Sequence, residues 1–112
     1  MILEQFIDAM KKGDKEELAN LFDEKGSLHD MTPQKVGQDP LYLEGKKTIE
    51  MMFHYKFGFQ GKGYPIYNVK IETEDYGTYT IEYGGKLVKV IVEVREVTAE
   101  GKIKRLHIYP TA

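Results

Sequence analysis

The chain reads as an α+β domain: three helical segments come first, then a meander of long strands. Two observations predict this. Apolar residues recur at helical spacing through the first half, and through the second they share one face of each strand at every other position. A third is the placement of glycine and proline, which fall between these segments rather than inside them.

Ile2, Leu3, Phe6, Ile7 and Met10 form one apolar stripe, which predicts a first helix ending at Gly13. Asp14 opens a second helix, with Glu17 three residues on as a capping-box-like partner. Leu18, Leu21 and Phe22 are its buried face, and Gly26 is expected to end it. A short alternating segment follows from Ser27 to Met31. Thr32 to Gly45 reads as a long irregular loop, broken by Pro33, Gly37, Pro40 and Gly45, of the kind that often rims a site. Lys46 to about Lys56 is the third helix, with Ile49, Met52 and Phe53 on one face. Strands are expected over Ile66 to Thr73, Thr78 to Tyr83, Lys86 to Val97 and Lys102 to Tyr109. Tyr67, Val69 and Ile71 share one face of the first of these. Gly84-Gly85 suits a two-residue hairpin turn. The helices are expected to cover one face of an antiparallel sheet.

The 112 residues are expected to make one domain, spanning 1–112. Apolar residues are 41% of the chain and charged residues 30%, a globular composition. Lys and Arg number 16 against 18 Asp and Glu, so no nucleic-acid partner is expected. Cysteine is absent, which excludes disulfides, thiolate nucleophiles and Cys-based metal sites. No apolar run is long enough to cross a bilayer, no signal peptide is visible, and a cytoplasmic location is the default expectation. The three histidines lack metal-ligand spacing, so no metal is expected, and no cofactor motif is present.

Several stretches carry a family resemblance over essentially the whole chain. They are Phe6-Ile7-Asp8-Ala9-Met10-Lys11-Lys12-Gly13-Asp14, then Leu21-Phe22 through Leu28-His29-Asp30 to Gly45-Lys46-Lys47-Thr48-Ile49, and last Val92-Glu93-Val94-Arg95 with Glu100-Gly101-Lys102-Ile103-Lys104-Arg105-Leu106. Their order resembles the ketosteroid isomerase-like (SnoaL-like) branch of the nuclear transport factor two-like superfamily. The resemblance implies a cone-shaped, strongly curved antiparallel sheet on three N-terminal helices, a cystatin-like α+β roll. It also implies a pocket at the open end and a dimer through the convex face. In the isomerases an Asp after the second helix is the general base, and a Tyr on the first helix and a protonated acid on a late strand bind the oxyanion. Those positions fall on Asp30, Phe6 and Glu93 respectively. Phe6 has no hydroxyl, so the usual oxyanion pair is incomplete.

Asp30 shares strand parity with Leu28 and is expected to point inward, where partial desolvation raises a carboxyl pKa. A strand-end Asp bonding the amides of the next loop is the plainer reading of the same residue. Glu93 has two readings. Either Val88, Val90, Val92 and Val94 face the core and Glu93 faces solvent with Lys89 or Arg95, or Glu93 and Ile91 face the cone and the valines meet a partner. The second reading requires a homodimer, because four exposed valines would be an unusual patch.

The expected site thus has Asp30 and Glu93 as its chemical groups. Phe6, Met10, Tyr42, Met52, Phe53, Ile91, Leu106 and Ile108 are its candidate ligand contacts, with Tyr64 a further one by position. Phe6, Phe53 and Tyr55 are expected to fill the closed end of the cone, and Met51 to add pliable lining. The function expected is cofactor-independent proton transfer on an apolar carbonyl compound, of isomerase, cyclase or dehydratase type. The alternative is a non-catalytic ligand-binding or dimerisation module, and a third is a protein-binding adaptor.

Overall fold

The structure, a computed structural model, describes residues 1–111. Helix α1 (Ile2–Lys12) buries Leu3, Phe6, Ile7, Ala9 and Met10, and Gly13 closes it in the left-handed conformation at φ 75°. Asp14 caps α2 (Lys15–Asn20), its carboxylate accepting from the Glu17 amide at 3.0 Å. α2 is shorter than expected. Phe22 belongs instead to strand β1 (Phe22–Asp30), because it pairs with Ile103 of the last strand. Leu18 and Phe22 are spaced for a helix, and tertiary pairing overrides that local pattern. Gly26 therefore lies inside β1, where a Cβ would meet the Ile103 carbonyl at 2.6 Å.

The long segment after Asp30 is less irregular than expected. It holds a 3₁₀ turn (Thr32–Val36) and strand β2 (Leu41–Glu44), which pairs antiparallel with β1. Helix α3 (Lys46–Phe57) follows, then β3 (Ile66–Ile71), β4 (Tyr76–Tyr83), β5 (Lys86–Val97) and β6 (Ile103–Pro110). In β3 the expected alternation fails. Tyr67 and Val69 are exposed while Ile66 is buried, because Asn68 adopts φ 54° and the pairing shifts register between Tyr67 and Lys70.

The six strands form one sheet in the order β2-β1-β6-β5-β4-β3. It is mixed rather than purely antiparallel, since β1 runs parallel to β6. Register shifts in β1 between Phe22 and Ser27, and in the β5–β6 pair between Val94 and Val97, bend the sheet. The helices cover its concave face, and one core cluster joins α1, α3 and the inward residues of the strands. Among the described residues no helix is long and apolar enough to cross a membrane.

Strand β5 settles its own parity. Val88, Val90, Val92 and Val94 are all buried within the chain, so they are core and do not present a dimer surface. Glu93 and Ile91 face the other way. Cross-strand register carries this through the sheet. Leu41, Asp30, Ile108, Val92 and Gly77 form one row, and Tyr42, His29, His107, Glu93 and Tyr76 form the adjacent row. Adjacent rows point to opposite faces.

Candidate functional site

Asp30 ends β1 and points to the concave face, where it is 8% exposed. It is the one buried ionisable carboxylate among the described residues. Its Oδ1 accepts from the Thr32 amide at 2.8 Å, an Asx-type bond that starts the 3₁₀ turn. Burial pushes its carboxyl above the ordinary carboxylate range, against the opposing effects of bonding to Thr32 and of the Lys56 and His29 charges.

Two elements, the loop after α3 and strand β4, bring phenols within electrostatic reach of Asp30. Tyr79 projects inward from β4 and is 2% exposed. Burial, then the Asp30 charge, pushes its phenol well above the ordinary range. Tyr64, on the loop after α3, is raised by burial, by Tyr83 and by Asp30. Both phenols therefore stay protonated and can donate. The backbone holds Tyr64 in place, because its amide donates to the Met10 carbonyl at 3.0 Å. Gly63 makes that approach feasible, since a Cβ there would collide with the Met10 and Lys11 carbonyls.

Lys56 from α3 donates to the Tyr83 hydroxyl at 3.1 Å and lies 5.4 Å from that ring's centroid. Tyr83 and Tyr64 rings are 5.8 Å apart, and Phe57 and Phe53 continue the aromatic run into the core. Among the described residues no fully buried side-chain nitrogen or oxygen lacks a hydrogen-bond partner.

Phe6, Met10, Phe53, Leu106 and Ile108 are all buried on the concave side, as the site reading needs, but they pack against one another in the core cluster. Met52 is partly buried against them. The main surface hollows among the described residues lie elsewhere, for example the one beside α1 and Val69 and the one between the Gly13–Glu16 turn and the end of α3. Tyr42 and Ile91 are corrections. Tyr42 is 59% exposed on the convex face, its hydroxyl bonded to Glu44, and Ile91 shares Glu93's face. Tyr55 and Met51 are exposed on α3 and fill nothing.

Glu93 is the main correction. It lies one row from Asp30 and on the opposite face, half-exposed, where it accepts from the Tyr109 hydroxyl and pairs with Arg95 at 3.5 Å. It cannot act beside Asp30 as a second acid. Tyr79 and Tyr83 were not anticipated as polar groups of the site. Their shared parity in β4 was visible, but nothing in the sequence showed that the Tyr79 phenol lies within electrostatic reach of Asp30.

No family model matches the chain, and no curated protein matches it either. Solved structures do match. One is a protein of unknown function, described as nuclear transport factor two-like, from Burkholderia xenovorans. It is 18% identical, with 98% of this chain and 80% of that chain covered and a TM-score of 0.67. A protein with a ketosteroid isomerase-like fold from Catenulispora acidiphila, solved with trimethylamine, is 14% identical, with 96% and 83% covered and a TM-score of 0.66. A de novo designed protein, from work on diverse pocket structures, is 19% identical, with 98% and 96% covered and a TM-score of 0.56. SnoaL-like and cystatin-like proteins also match over nearly the whole chain. The backbone traced above therefore has the α+β fold shared by nuclear transport factor two-like, SnoaL-like and ketosteroid isomerase-like proteins.

Proposed function

We propose that this chain is a small-molecule-binding domain whose site is the Asp30 end of the concave face, and that Asp30 exchanges a proton with an apolar, carbonyl-bearing ligand. The observation that supports this reading is a single desolvated carboxylate with protonated Tyr64 and Tyr79 in electrostatic reach. A carboxyl raised by burial is a stronger base near neutrality than an exposed one. Phenols that stay protonated stabilise the enolate oxygen that forms when a proton leaves the α-carbon. They would supply from β4 and the post-α3 loop what Phe6 cannot supply from α1. Ligand entry requires the aromatic side chains at Tyr64 and Tyr83 to part, because the core behind them is packed.

The test is hydrogen–deuterium exchange at the α-carbon of a panel of apolar ketones and enones, followed by NMR. Asp30→Asn keeps the bond to Thr32 and removes the base, and is expected to slow exchange by about 10²–10⁴-fold. Exchange that is equal in the two proteins, in the presence of demonstrable ligand binding, overturns the catalytic reading.

One observation favours the alternative of a non-catalytic ligand-binding module: Oδ1 of Asp30 already serves the turn at Thr32. On that reading Asp30→Asn leaves ligand affinity unchanged and no ketone exchanges faster than in buffer.

A further inference from the structure

The row Tyr42–His29–His107–Glu93 crosses three strand boundaries on the convex face, away from Asp30. His29 and His107 stand directly opposite each other on the parallel strands β1 and β6, with ring centroids 5.3 Å apart. Neighbouring strands are about 4.8 Å apart, so the two side chains leave the sheet as close neighbours. Both are half-buried, so part of each side chain stays open to solvent. Tyr42 walls the outer side of His29, edge to face at 5.3 Å, and its hydroxyl is held by Glu44 at 2.7 Å. Glu93 pairs with His107 across β5 and β6, its carboxylate engaged by the Tyr109 hydroxyl and by Arg95.

We propose that His29 and His107 together form a two-imidazole site for a divalent transition metal, with Cu²⁺ preferred. Two imidazole nitrogens bound to one ion at about 2.0–2.1 Å each lie about 3 Å apart. Binding then needs the two facing rings, 5.3 Å apart between centroids, to turn about their side-chain bonds until one nitrogen of each meets that spacing. Two nitrogens with water in the remaining positions suit a tetragonal Cu²⁺ site, and the affinity order of divalent ions also places copper first. Among the described residues no three His, Cys, Asp or Glu side chains converge as a cage, so the site is a two-ligand chelate and not a closed structural centre. The guanidinium groups nearby do not oppose a cation at full strength. Arg95 is paired with Glu93 at 3.5 Å and Arg105 with Glu96 at 3.1 Å.

Cu²⁺ is titrated into the full chain while backbone amide NMR signals and the copper EPR spectrum are recorded. The expected result is one ion per chain at an affinity on the order of micromolar. Paramagnetic broadening should centre on His29 and His107, with EPR features of two nitrogen ligands. His29→Gln and His107→Gln should each weaken binding at least about tenfold, because the remaining imidazole loses its chelate partner. His54→Gln should change nothing. Broadening centred on His54 or on the amino terminus overturns the proposal, as does half-saturation above ~1 mM. The broadening map is read on the unmodified chain, so the outcome does not depend on either variant folding.

Discussion

Asp30 carries two roles that its substitution separates. Its carboxyl is raised by burial, so the folded state holds a proton that the unfolded chain has already released. Between the unfolded carboxylate pKa and the higher folded one, stability falls as pH rises. Above that window the cost of a buried charge is present in full, partly offset by Thr32 and Lys56. Asp30→Asn keeps the turn and removes the charge. The variant is therefore expected to gain on the natural chain as pH rises from 3 to 8, read as denaturant midpoints at each pH. A difference that stays flat across this range would mean that the carboxylate is already well solvated. The contrast with Glu93 is one of surroundings. Glu93 is half-exposed beside Arg95 and Tyr109, whereas Asp30 is buried and held by Thr32, with no salt-bridge partner among the described residues.

Strand β5 shows how one element divides its labour. Its valine face lies in the core and its charged face lies outside, so neighbouring residues differ sharply in what they contribute. Val92→Ala, at a fully buried position, is expected to cost about 2 kcal/mol through lost burial and a small cavity. Lys89→Thr, three residues earlier on the outer face, should stay within about 0.5 kcal/mol. Equal losses at the two positions, measured by urea denaturation, would contradict the parity described here. The length of β5 was legible from its alternation alone. Which of its faces lay inside was not, because both a solvated charged face and a partnered valine face satisfy the same alternation. The helix faces were easier to read. Leu3, Phe6 and Met10 on α1 and Ile49 and Phe53 on α3 have polar residues opposite them, which leaves one orientation.

Across the whole molecule the sheet order explains where rigidity should concentrate. β6 lies between β1 and β5 and bonds to both, while β2 and β3 are edges with a partner on one side only. Native-state hydrogen exchange is expected to be slowest in β6, β5 and β1 and at least about tenfold faster in β2 and β3. Protection in β2 equal to that in β6 would mean that the edge is covered by something beyond this chain. The same order joins the two ends of the sequence, since β1 pairs with the last strand. That pairing places Asp30 beside Ile108 on one face and His29 beside His107 on the other.

Residue order alone determined the three helices, the long hairpin of β4 and β5, the inward parity of Asp30 with Leu28, and the resemblance that named the fold, because each rests on spacing within a few turns or along one strand. Only the tertiary structure decided that β1 starts at Phe22, that Glu93 turns its back on Asp30, that the phenols of Tyr64 and Tyr79 lie within electrostatic reach of the carboxylate, and that two distant histidines stand side by side. Those facts depend on which strands pair and in what register, and hydrogen bonds between segments tens of residues apart leave no periodic trace in either segment.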